Sequence, residues 1–255
     1  MRRVLSFLTA LAVILIIWEI MHRSFGLSGL PSPVSAMQAM PELLAERTTL
    51  TDVLHSLRRM FIGYTIAAAA GITIGLLMGT SKLASQLLNP LIMIIYPIPK
   101  AALMPIMMIW LGVGDMSKIL VIVLGASLPI IYHAWQGGKS VSNTVVWSAA
   151  AMGMKKPARL LRIVLPAALP EIFIGLRTGL ILALITMVVS EIVARSNGIG
   201  NLLFNSMDMA LYDRMFAAII IIAAMGCILD WGFEAIRKHF LRWSETSDHI
   251  EVTVG

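Results

Sequence analysis

Six stretches of the chain are apolar almost without interruption: 4–20, 60–79, 87–111, 119–135, 172–193 and 215–236. Each is about as long as the roughly 17–25 residues that a membrane-crossing helix needs, tilt included. A helix satisfies its own backbone hydrogen bonds in hydrocarbon, so the pattern predicts an all-α polytopic membrane protein with six transmembrane helices. The third run carries Pro90, Pro97, Pro99 and Pro105 and is predicted to be broken rather than straight. Between the first two runs, residues 31–59 are mixed, with Leu50, Leu54, Leu57 and Phe61 at helical spacing. They predict an amphipathic segment at a membrane surface, with Thr51 capping a helix that continues through Ser56 into the second run. The organisation is then an N-terminal anchor helix and extracytoplasmic amphipathic segment at 1–59, a transmembrane domain at 60–240 with a long connection at 136–170, and a tail at 241–255.

Composition narrows this further. The chain is 58% apolar and 13% charged, against about 45–50% and about 25% in soluble domains, so no large soluble domain fits. The net charge of +6 does not mark a nucleic-acid binder, because the basic residues sit in short connections between apolar runs. Such residues orient membrane helices. With six spans, Arg2, Arg3, Lys82, Lys139, Lys155, Lys156, Arg159, Arg162, Arg237, Lys238 and Arg242 fall on the side of the termini. Arg23, Arg47, Arg58, Arg59, Lys118, Arg195 and Arg214 fall on the other. The excess predicts both termini and the 136–170 loop in the cytoplasm. The first run, followed by Glu19, His22 and Arg23, reads as an uncleaved anchor.

Several chemistries drop out. Cys227 is the single cysteine and reads as a packing residue, and the 18 methionines are scattered gap-fillers without ligand spacing, so no metal site is expected. No glycine-rich phosphate loop of the G-x-x-x-x-G-K-[ST] type occurs. His133 has no companion nucleophile, which argues against an intramembrane enzyme. Gly71, Gly75 and Gly79, with Ala67 one turn earlier, form a small-residue row suited to close helix packing, within one subunit in preference to a dimer seam.

A connection of the length of 136–170 usually has a function. From Trp147 it reads WSAAAMGMKKPARLLRIVLPAALP: a short Ala-rich helix, Gly153, a basic stretch, and then Ile163, Leu165 and Pro166. A helix of small residues can enter a groove on another protein, and Gly153 lets the chain leave it in a conformation costly for other residues. Pro166 and Pro170 would stiffen the return and mark the start of the fifth span. An interfacial helix touching anionic headgroups through Lys155, Lys156, Arg159 and Arg162 is the plainer alternative.

The spacing resembles the cytoplasmic signature of importer permeases of the ATP-binding cassette class, E-A-A-x3-G-x9-I-x-L-P. Ala149, Gly153, Ile163, Leu165 and Pro166 are in register, while Trp147 stands at the Glu position and Ser148 at the first Ala. The stretches YPIPKAALMPIMMIWLGVGDMSKI, SEIVARSNGIGNLL, LPSPVSAM and SLRRMFIGY are similar to those of the nitrate, sulfonate and taurine permeases, so the resemblance covers nearly the whole chain. It implies a MetI-like type I importer permease fold in a bacterial cytoplasmic (inner) membrane. It further implies a second permease copy forming a homodimer, two cytoplasmic ATPase subunits and an extracytoplasmic substrate-binding protein. ATP and Mg would then belong to the partner ATPase and no cofactor to this chain, which would not itself be an enzyme.

Two ionisable residues in the runs are candidates for the solute path. Lys100, among the prolines of the third run, reads either as a positive lining for a small anionic solute or as a snorkelling or paired side chain. Glu191 reads either as a solute contact or as a carboxylate tying down the Gly198–Gly200 turn. An ion-coupled secondary transporter of an organic anion is the competing class. It would show interrupted helices in corresponding halves, and only one broken run is evident.

Overall fold

The computed structural model describes residues 2–243, and what it describes is helical throughout. Eleven α-helices follow in order: α1 Arg2–Phe25, α2 Pro33–Ala45, α3 Arg47–Thr80, α4 Lys82–Ile95, α5 Met104–Leu111, α6 Asp115–Ser140, α7 Asn143–Ala151, α8 Lys156–Arg159, α9 Leu165–Ala194, α10 Ile199–Asp208 and α11 Tyr212–Phe240. Four helical stretches are long and apolar enough to cross a membrane: α3, α6, the continuous rod Lys156–Ala194, and α11. The third apolar run makes a fifth if α4 and the Lys100–Leu111 segment are one span, bent by 82° where Pro97 and Pro99 interrupt it. The first run is the 24-residue helix α1. Of the tail at 241–255, residues 244–255 lie outside the described residues.

The centre is a three-helix layer in which α6 lies between α3 and α9. Small residues make the approach possible. A Cβ added at Gly71 would meet Ile130 Cγ2 at 2.7 Å, and one at Gly75 would meet Ala134 Cβ and the Ile131 carbonyl at 2.5 Å. The row of glycines thus packs inside the subunit, against α6. The same device recurs on the far side of α6, where Gly175 faces His133 and Gly179 faces Ile130. The main core gathers Met60, Ala67, Ile122, Ile130, Ala183 and Met187 from these helices with Ile221 and Met225 of α11.

Two local expectations differ from the structure. The expected helix through Ser56 into the second run is present, but Thr51 is not its N-cap: α3 begins at Arg47 after Glu46 and runs unbroken through Arg59 and Met60, and the Thr51 hydroxyl donates to the Thr48 carbonyl. Four early turns of continuous helix outweigh a single capping side chain. Along this helix Leu50, Leu54 and Phe61 of the apolar stripe are exposed, while Thr49, Ser56 and Arg59 are buried. The helix of the fifth run also extends upstream of Pro166 and Pro170: α9 has Pro166 in its first turn, but the helical rod begins at Lys156, and a π-turn at Leu160–Val164, with the Leu165 N–H on the Leu160 carbonyl, precedes Pro166. The wider turn makes room for a ring that lacks an N–H and crowds the preceding helical turn.

Candidate functional site

The long connection resolves into a short helix on a rigid stem. The sequence from Asn143 to Ala151 is helical, and Gly153, at φ +82°, reverses the chain beyond its end. The Gly153 N–H donates to the Ala150 carbonyl and the Met154 N–H to the Ala149 carbonyl, so the open end of α7 is closed by backbone in a left-handed turn. No atom lies within 4 Å of an added Cβ at Gly153. The constraint there is conformational, not steric.

One face of α7 is seated: Ala149 is buried, and Val146 packs with Leu160 and Leu165 on Leu76, Ala134, Val164, Ala168 and Ile172. Arg159 Nη1 donates to the Val146 carbonyl at 3.4 Å. The other face is open, with Trp147 69% and Met152 79% exposed, beside exposed Ser148. Ile163 lies in the π-turn, and Leu165 and Pro166 in the first turn of α9, all half-buried. The seven motif residues therefore fall on one helix–turn–helix unit whose stem is the longest rod of the molecule.

Lys100 stands at the break in the third run. Its ammonium donates to the carbonyls of Ile95 (2.8 Å) and Tyr96 (2.7 Å), the open C-terminal end of α4, and rests 5.9 Å from the Tyr96 ring centroid. A cation there compensates the carbonyls left unpaired by the break.

Glu191, 0% exposed near the end of α9, is the centre of a buried polar cluster at the opposite end of the bundle from α7. The Ser56 hydroxyl lies 2.8 Å from both its oxygens, Arg59 Nη1 donates to Oε1 at 2.8 Å, and the Gly200 N–H donates to Oε2 at 3.0 Å. Arg59, 1% exposed, also donates from Nε to Asp115 Oδ1 at 2.6 Å, from Nη1 to the Asn197 carbonyl at 3.2 Å, and from Nη2 to Asn197 Oδ1. Lys118 Nζ donates to Ser196 Oγ at 2.7 Å and to the Asn197 carbonyl and Oδ1 at 3.1 Å each. Asp52 accepts the Gly198 N–H at 2.8 Å. The Glu191 carboxyl occupies the space a Gly198 side chain would need, and Gly198 has φ +112°. Two cations, Arg59 and Lys118, and three carboxylates, Asp52, Asp115 and Glu191, thus bind α3, α6, α9 and the turn into α10 into one block.

Of this cluster only Glu191 stands out in the sequence. Arg59 and Lys118 lie at the edges of apolar runs and have the pattern of connection residues. The signal was present: Thr49, Asp52, Ser56 and Arg59 recur at spacings of 3, 4 and 3, a polar stripe on one helix face. Arg177 is a further ionisable residue inside the fifth run. It pairs with Asp230 of α11. Cys227 is exposed on α11 and is no core-packing residue.

Comparison with known proteins adds the following. The family described as "Binding-protein-dependent transport system inner membrane component" matches residues 71–242. The taurine transport system permease protein TauC of Escherichia coli is 31% identical over 249 residues, covering 95% of this chain and 90% of its own length. The nitrate import permease protein NrtB of Synechocystis is 30% identical over 230 residues, covering 87% of this chain and 83% of its own. Among solved structures, a chain of the MetNI methionine ABC transporter in an inward-facing conformation matches with a TM-score of 0.68 at 17% identity, over 80% of this chain and 98% of that one. At that identity the likeness speaks for the fold.

Proposed function

Because the chain belongs to the family of inner membrane components of binding-protein-dependent transport systems, we propose that it is the permease subunit of an ATP-binding cassette importer for a small anionic solute such as a sulfonate or nitrate. The observation that carries the mechanism is the α7 unit: an exposed helix face closed by the Gly153 turn and joined without a flexible loop to the rod Lys156–Ala194. A partner ATPase gripping Trp147, Ser148 and Met152 would move that rod as a lever. The partner drives transport only through a difference in its affinity for the two orientations of the permease. Trp147 at the signature's Glu position makes this grip apolar where an ion pair would otherwise form.

The remaining assignments follow from that reading. Two copies form the path, two ATPase subunits bind the cytoplasmic face and supply ATP hydrolysis with its Mg, and a binding protein delivers the solute from outside. α1, with its exposed Leu11, Ile14 and Ile17, is the sixth span beside the five candidates. The charge asymmetry puts both termini and α7 inside. Support for this orientation comes from Arg59 and Lys118, which counted against it but are buried and paired, and so do not act as free loop charges.

The purified permease alone in nanodiscs is expected to hydrolyse no ATP, and to gain ATP-driven uptake when its ATPase and binding protein are added. Hydrolysis by the chain alone, or uptake driven by an ion gradient without the ATPase, would overturn the proposal.

A further inference from the structure

Arg177 and Asp230 join α9 to α11 through two parallel hydrogen bonds, Nε to Oδ1 and Nη2 to Oδ2, each 2.8 Å. Their side chains are nonetheless 46% and 33% exposed. By helical rise, Asp230 lies about 27 Å along the axis from Tyr212 and about 15 Å from Phe240. In a hydrocarbon layer of about 30 Å centred on α11 it sits about 9 Å inside the inner boundary. Ionisable groups at such depth face a bundle interior or a water-filled cavity, not lipid tails.

A groove of about 470 Å³ opens beside the pair, walled by Leu180, Leu184, Ile222, Gly226 and Cys227. That is within the range of small-molecule sites, and its polarity is confined to one end. Asp230 engages one edge of the guanidinium and fixes its plane. Nη1 makes no hydrogen bond to any described residue, so its two N–H groups and the second one on Nη2 are free of described partners. A planar fork held in this way suits an oxyanion. The Lys100 ammonium, in contrast, is occupied by two carbonyls.

We infer that this groove is an intramembrane station for the transported solute, with Arg177 the donor to its anionic head, Asp230 the residue that positions Arg177, and the apolar walls the seat of its carbon part. The inference rests on the permease reading and names where in the membrane the solute is met. A phospholipid phosphate lies outside the hydrocarbon, too shallow to reach the pair. A second copy packed flush on this face would exclude water from it.

Cys227 is the sole cysteine of the chain and lines the groove, so it serves as a native probe. Thiols react as thiolates and therefore need water. In the assembled transporter in nanodiscs, 2-sulfonatoethyl methanethiosulfonate is expected to modify Cys227, and excess methanesulfonate to slow it. Arg177→Gln should reduce that rate about tenfold, the loss of one charge-assisted contact, while the rate with the trimethylammonium analogue does not fall. Exchanging the charges, Arg177→Asp with Asp230→Arg, keeps the helix clasp and should still abolish uptake.

Modification by neither charged reagent in nanodiscs, with full modification after unfolding in detergent, would place the face on lipid or in a sealed interface. That result, an anionic-reagent rate unchanged in Arg177→Gln, or normal uptake by the charge exchange overturns the inference. ATP-driven uptake by the unmodified preparation reports separately on the permease reading.

Discussion

At the scale of single residues, the largest electrostatic commitment in the molecule is the contact between Arg59 and Glu191, both almost without solvent. Removing one partner leaves a buried charge uncompensated, which costs about 3–5 kcal/mol, whereas replacing both with apolar groups of similar volume is often nearly neutral. Glu191→Ala is therefore expected to lower the melting temperature of the detergent-purified protein sharply, and Arg59→Met with Glu191→Met to recover a good part of that loss. Thermal unfolding followed by tryptophan fluorescence checks it. A double variant no more stable than the worse single variant would show that the cluster acts through more than this pair. The row Thr49, Asp52, Ser56, Arg59 could have been read as a buried polar face. What it faces could not, because Glu191 is 132 residues away from Arg59.

At the scale of elements, two glycines act for different physical reasons. Gly153 holds a left-handed turn with empty space where a side chain would go, so a β-branched residue meets only backbone strain, about 1–2 kcal/mol. Gly153→Val is expected to leave expression and melting temperature of the membrane domain nearly unchanged, while co-purification of the ATPase and solute-stimulated hydrolysis are lost. Gly153→Asn, which tolerates that conformation, should retain much of both. Equal behaviour of the two variants in an ATPase pull-down would remove the turn from the mechanism. Gly75 is the opposite case: its backbone conformation is ordinary, but α6 leaves no room for a Cβ. Gly75→Leu should force α3 and α6 apart and destabilise the fold by several kcal/mol, as overpacking and lost contacts combine. Size-exclusion chromatography after mild heating would register this, and a monodisperse Gly75→Leu protein at the parental melting temperature would contradict the packing.

At the scale of the whole molecule, orientation is the open quantity with a simple test. Ser142 is exposed just before α7, and Met209 is exposed at the turn between α10 and α11, at the other end of the bundle. Ser196 would be a poor reporter there, because its hydroxyl accepts from buried Lys118. In a Cys227→Ala background, Met209→Cys is expected to react with an impermeant maleimide in intact cells. Ser142→Cys should react only after permeabilisation. The reverse pattern would invert the topology and with it the placing of the ATPase.

Apolar runs, prolines and a spaced signature are local properties, and they determined the helical class, the broken third run and the short helix closed by Gly153. Each rests on backbone sterics or on transfer of side chains out of water, which a short window of residues already decides. Only the tertiary structure decided which helices touch, that the glycine row faces α6, that Arg59 and Lys118 are interior and not loop charges, and that Arg177 meets Asp230. Those pairings join residues distant in sequence, 138 positions apart from Arg59 to Asn197. A charge at the edge of an apolar run has the same sequence signature whether it meets water or a carboxylate on another helix. The difference lies in the packing of the helices, which no single segment encodes.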